Sequence, residues 1–232
     1  MIDGSLIHFS YLVNAGVVSI EGPGSGRRAG ASGAPGGVKQ AMDTPIATLY
    51  TCGHSARAQE ELLLMLQWQA IDQLIDIRRY PISRRHPQFT RDAWQTRLER
   101  AGIRYHWEGG VLGGRRAAKA DSHHVGLSKN GLRGFADHME GGAFTRRMQG
   151  IIATAAKARI VLMCAERLPE HCHRNLVADY LKLQGCRVVH LIETGQAREH
   201  RLHPLARKVG NVVVYNQGMT LPMELDCCRE DP

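Results

Sequence analysis

The chain has 232 residues, 43% of them apolar, with 30 Lys+Arg against 22 Asp+Glu and a formal charge of +8. That composition can fill a core and excludes wholesale disorder, and the length suits one compact domain with appendages. The longest clear apolar run, residues 160–165, is strand-sized and falls short of the ~18 residues of a spanning helix.

Residues 22–37 hold seven Gly and two Pro, too little apolar surface to offset chain entropy. Residues 1–41 are therefore expected to be a disordered extension, with Met42 the natural start. From residue 46 strand and helix alternate. Residues 46–51 form an apolar strand, after which Ser55 is expected to N-cap a helix carrying Leu62, Met65 and Leu66. A second strand at 73–78 ends at Pro81. Thr90 caps a helix with Trp94, Leu98 and Ala101 on one face, and Gly102 stops it. A third strand at 103–107 leads to a Gly-rich loop, and helices are expected at 132–139 and 144–158. Residues 159–165 are apolar without a break, as in a strand covered on both faces. Pro169 then starts a helix to Leu183, and residues 186–192 form the next strand, with a further edge strand at 211–215. This rhythm predicts an α/β domain over 42–195, with a mostly parallel sheet flanked by helices, and a C-terminal extension over 196–232.

Six cysteines, irregularly spaced, do not make a disulfide scaffold and read as reduced thiols in a cytoplasmic protein. The positive balance points to an anionic small molecule or nucleic acid as partner, with no membrane role. Eight arginines but only two acids lie between Arg78 and Arg104. Ligands of open α/β sheets bind beyond the carboxyl ends of the strands, so the residues found there are the candidates. Asp76 and Glu166 are the expected acid/base carboxylates and His54 a proton shuttle. Cys172 is expected to be reactive because the first turn of a helix lowers a thiol pKa. Ser55, Arg78, Ser83, Arg84, Arg85, Gly113, Gly114, His173 and Arg174 are expected to hold the anion. Plainer readings compete: Cys164 as a small buried hydrophobe, and Asp76 and Glu166 as members of structural ion pairs.

The runs TCGHS at 51–55, DIRRYPISRRHPQF at 76–89, LGG at 112–114 and MCAE…CHR at 163–174 resemble the bacterial and archaeal family called domain of unknown function 488. The resemblance spans about residues 47–192 and implies a compact α/β fold in a cytosolic protein, with no established reaction. The expected function is hydrolysis or group transfer on an anionic, nucleotide-like or nucleic-acid substrate. Two alternatives stand beside it. One is a nucleic-acid-binding module without chemistry. The other is a zinc site of Cys164, Glu166, Cys172 and His173, whose C-x7-C-H spacing lacks the usual paired ligands. No metal or cofactor is expected, because the Cys164 thiol should point into the core. No G-x-G-x-x-G follows the first strand, and neither a Walker A nor a G-x-S-x-G motif is present.

Overall fold

The chain divides into two units, residues 1–42 and 43–232, and the computed structural model describes residues 45–216, all within the second. The Gly-rich segment, Met42 and the Cys227–Cys228 pair lie outside the described residues.

Five parallel strands and one antiparallel edge form a six-stranded sheet in the order β3-β2-β4-β1-β5-β6. The strands are β1 (Thr48–Gly53), β2 (Gln73–Asp76), β3 (Arg104–Trp107), β4 (Ile160–Cys164), β5 (Arg187–Glu193) and β6 (Gln196–Glu199). A separate hairpin pairs β7 (Ala206–Val209) with β8 (Val212–Tyr215), so the strand expected at 211–215 joins a second sheet and not the edge of the first. The helices are α1 (Gln59–Trp68), α2 (Arg91–Glu99), the single turn α3 (Gly109–Leu112), α4 (Asn130–Met139), α5 (Gly142–Ala155) and α6 (Arg174–Leu183).

Alternation along each strand splits the core into two halves. Tyr50, Cys52, Leu74, Val161 and Met163 face α1 and α2, packing on Leu62, Leu66 and Trp94. Leu49, Ile75, Ile160, Leu162 and Cys164 face α4, α5 and α6, packing on Phe135, Phe144 and Val177. The result is a three-layer α/β/α sandwich, as the alternating pattern predicts. β4 is covered on both faces, which accounts for its unbroken apolar sequence.

Two local expectations fail. Ser55 does not cap α1: its φ is +47°, the helix starts at Gln59, and the cap position is Ala58. Pro169 opens only a 3₁₀ turn (Pro169–His171), and α6 begins at Arg174. Cys172 therefore sits ahead of the helix in extended backbone, φ −131° and ψ 147°.

A buried polar chain ties the sheet to α6 and the hairpin. Thr51 Oγ1 donates to His190 Nδ1 (2.7 Å), His190 Nε2 to His200 Nδ1 (2.9 Å), and His200 Nε2 to Asp179 (2.9 Å). Tyr215 also donates to Asp179 through its hydroxyl, 2.9 Å away. The bonds run unbroken from the central strand through two histidines to the Asp179 carboxylate.

Candidate active site

The chain connections leave β1 and β4 in opposite directions. β1 leads through α1 toward β2, while β4 leads through α6 toward β5. A crevice opens at such a switch point, beyond the strand ends. A cleft of about 830 Å³ lies there. Ten of the thirteen candidate residues line it: His54, Ser55, Arg78, Ser83, Arg84, Arg85, Gly114, Glu166, Cys172 and His173. Asp76, Gly113 and Arg174 do not, and each is occupied behind the wall.

Asp76 is fully buried and its carboxylate is spent on structure. It accepts from Arg78 Nε (2.9 Å) and Nη2 (2.5 Å), from the Arg78 backbone N–H (3.0 Å) and from the Tyr105 hydroxyl (2.7 Å). The Arg78 guanidinium also donates to the Phe89 carbonyl (2.8 Å) and to His54 Nε2 (3.1 Å). Asp76 thus gains no free role as an acid or base, and Arg78 keeps little capacity for a substrate anion. His54 stacks on Phe89, with ring centroids 4.6 Å apart, and its Nδ1 meets the Ser55 carbonyl at 2.9 Å. Burial first, then the Arg78 charge, pulls its pKa down to about 4. With Nδ1–H donating and Nε2 accepting, both ring nitrogens are committed, so the expected proton shuttle is instead a neutral strut. The cause is the arginine that alternation in the loop after β2 brings against it.

Arg174 has no exposed surface, and its guanidinium donates to the carbonyls of Glu166 and Arg167 (2.7 Å to the latter). It clamps the loop after β4 and is not an anion ligand. The clamp needs Gly53, where a Cβ would stand 1.7 Å from the Glu166 carbonyl oxygen. Gly114 makes a similar close approach: a Cβ there would lie 2.8 Å from His173 Nδ1, so its bare backbone makes room for the His173 ring. Gly113 packs on Gly109 and Arg79 and stays behind the wall. The Ser83 hydroxyl accepts from the His86 backbone N–H (2.9 Å) and shapes the Arg-rich turn.

At the cleft floor the two thiols and His173 converge. Cys164 Sγ lies 3.8 Å and Cys172 Sγ 3.7 Å from His173 Nδ1. A hydrogen bond from the Cys172 thiol, with His173 and Arg174 adding positive potential, holds Cys164 well below the ordinary thiol range. Cys172, as donor, is held well above it. The low thiol is therefore Cys164 and not Cys172. Cys52 shows the contrast, since burial between sheet and helices pushes it up to about 12. Cys164 belongs to the core by packing, yet its sulfur reaches the cleft, because residues 160, 162 and 164 share the face that α6 covers.

Sequence reasoning missed part of the rim. Arg79, Tyr80, Ile82, Arg115 and Lys129 also line the cleft. The GGRR run at 113–116 carries the signal for Arg115. Arg84, Arg85, Arg115 and Lys129 are exposed, and among the described residues none has an ion-pair partner. Among the described residues Glu166 is the one carboxylate lining the cleft, is exposed, and has no hydrogen bond through its side chain.

This strand-end cleft, with its GHS, Arg-rich and CxE…CHR walls, sits on a three-layer α/β fold. Residues 58–181, more than half of the chain, match the family described as Domain of unknown function DUF488, and the protein belongs to that family. No curated protein and no solved structure matches the chain. Among the described residues no helix is long and apolar enough to cross a membrane.

Proposed function

We propose that the protein is an enzyme that hydrolyses, or transfers a group from, an anionic nucleotide-like substrate bound in this cleft. One observation carries the reading: six basic residues, a single carboxylate and a thiol pair share one cavity at the strand ends. Its volume, about 830 Å³, is within the usual range for small-molecule sites. Arg84, Arg85, Arg115 and Lys129 supply charge for phosphate, and the arginine forks favour bidentate contact. Tyr80 and Ile82, 62% and 75% exposed, offer an apolar face on which a base can lie. Glu166 is the acid or base, because among the described residues no cation pairs with it and the clamp on its own carbonyl fixes its backbone. Asp76, Arg78, His54 and Arg174 hold the floor in shape. A purely nucleic-acid-binding module would use the same rim but has no need of the floor.

Incubating the full chain with nucleoside phosphates and short oligonucleotides, followed by chromatography of the products, tests the reading. Turnover should appear with at least one of these substrates. Glu166→Gln should bind that substrate as the wild type does and lose about 10²–10⁴-fold in rate, the usual contribution of one acid or base. Binding without turnover in the wild type would instead establish the non-catalytic module, and full activity of Glu166→Gln would remove Glu166 from the chemistry.

A further inference from the structure

We infer that Cys164, Cys172 and His173 form a binding site for a thiophilic divalent cation of the zinc class, with a coordination position open to the cleft. The three donor atoms lie within 4.8 Å of one another. With Zn–S of about 2.3 Å and Zn–N of about 2.05 Å, a tetrahedral centre needs S···N edges of about 3.6 Å. The observed 3.8 and 3.7 Å come within a few tenths of an ångström of that. Closing the gap takes only small side-chain rotations.

The spacing that argues against metal in the sequence is bridged by the fold. The seven residues between Cys164 and Cys172 form the loop and 3₁₀ turn that Arg174 clamps, and this folds the strand end back against the start of α6. The Cys172 sulfur is further fixed by the Arg174 backbone N–H at 3.5 Å. The His173 ring is held between Gly114 and the edge-on ring of Phe135, centroids 4.8 Å apart. The donors are therefore oriented before any ion arrives.

Two thiolates and one imidazole make three protein ligands, the number found at catalytic zinc centres that keep one position for water or substrate. Glu166 is on the cleft wall but outside the convergent set, so it leaves that position free. An ion there would polarise a phosphoryl or carbonyl oxygen, or lower the pKa of a bound water. This catalytic role rests on the reading of the cleft as an active site. The ligand set does not.

The site also has a predictable weakness. With Nδ1 on the metal, the imidazole proton resides on Nε2, which is buried and has no partner among the described residues. Histidine ligands that lack such a partner typically bind about 10–100-fold more weakly. The ion should thus be removable by a chelator without loss of fold, since Cys164 and Cys172 are the only ligands within one core half and the other half contains none. A second cluster, His123, His124 and Glu140, does not qualify. His124 Nδ1 accepts from the Tyr215 backbone N–H (3.3 Å), which puts the proton on Nε2, the atom that would have to bind.

The test is metal analysis of the reduced full chain, followed by chelation and titration of the apoprotein with cobalt(II). The wild type should bind about one equivalent and develop the sulfur-to-cobalt charge-transfer absorption and intense visible bands of a tetrahedral thiolate site. Cys164→Ser and Cys172→Ser should each lose at least roughly tenfold in affinity and about half of the charge-transfer intensity, as one of two thiolates is gone. His173→Gln, at a half-buried position, keeps the test decisive if a cysteine variant fails to fold, and it should lose affinity with both thiolates intact. Glu166→Gln should bind cobalt as the wild type does. Reduced wild-type protein that binds neither zinc nor cobalt would overturn the site, as would undiminished binding by folded Cys164→Ser or His173→Gln. Nucleotide turnover by the metal-free protein would overturn the catalytic role given to the ion and leave the proposed activity standing. Metal binding without any nucleotide turnover would leave the site standing and overturn the proposed activity.

Discussion

Replacing Arg78 with alanine should cost about 3–5 kcal/mol of unfolding free energy, the range for removing one partner of a buried ion pair. Asp76 would remain fully buried, with only the Tyr105 hydroxyl and one backbone N–H as donors. The Phe89 carbonyl and His54 Nε2 would lose their donor at the same time. The complementary change, Asp76→Ala, strands a guanidinium that keeps two neutral acceptors, so it too should be costly. Removing both charges should cost much less than the two single losses together, because the penalty of each comes from the charge left behind. Urea unfolding of the wild type, both single variants and the double variant gives the coupling. Additive losses, or a loss below about 1 kcal/mol for Arg78→Ala, would mean that the pair is an ordinary solvated one.

Acid should destabilise the protein through its buried histidines. Burial lowers His54 to about 4 and His190 to about 3, and it moves His124 and His138 in the same direction. In the unfolded chain these rings take a proton near pH 6.5, whereas in the folded chain they stay neutral well below that. The unfolded state therefore binds more protons throughout the interval, and stability falls as pH falls from 6.5 toward 4. His54 and His190 should each contribute about 1 kcal/mol per pH unit there. His190→Gln removes one titrating group and also breaks the bonds to Thr51 and His200. It should be less stable at pH 7.5 but lose stability less steeply toward pH 5. Chemical denaturation at pH 7.5, 6, 5.5 and 5 measures both slopes. Parallel curves would show that His190 is protonated in the folded protein as readily as in the unfolded chain.

The parallel sheet is legible in the sequence because its central strands are buried on both faces and read as short apolar runs. β6 is not, because all four of its residues are exposed and carry no alternation. The insertion of β4 between β2 and β1 is a property of crossovers, and no local pattern records it. The strand-end rule locates the cleft, since most of the polar residues it picks out do line the cavity. It cannot tell which charges face inward. Asp76 and Arg174 occupy the same kind of position as Glu166 and Arg84, and only the tertiary partners separate a clamp from a ligand. Cys164 is instructive in the opposite way. Alternation from Ile160 puts it on the face of Leu162, and a right-handed crossover brings α6 to that face, so its meeting with Cys172 follows from topology once the start of α6 is placed correctly. Taking Pro169 for the helix start is what hides it.

That the cleft is an anion site is tested most directly by the melting temperature of the full chain in the presence of a nucleoside monophosphate, at two salt concentrations, for the wild type and for the Arg84→Ala/Arg85→Ala double variant. Both arginines are exposed, so the double variant should melt close to the wild type without ligand. Ligand at about 100 times its Kd should stabilise the wild type by about 2.7 kcal/mol, a rise of a few degrees that shrinks at high salt. The double variant should show less than half of that rise. Equal stabilisation of both proteins, or none of either, would contradict the account.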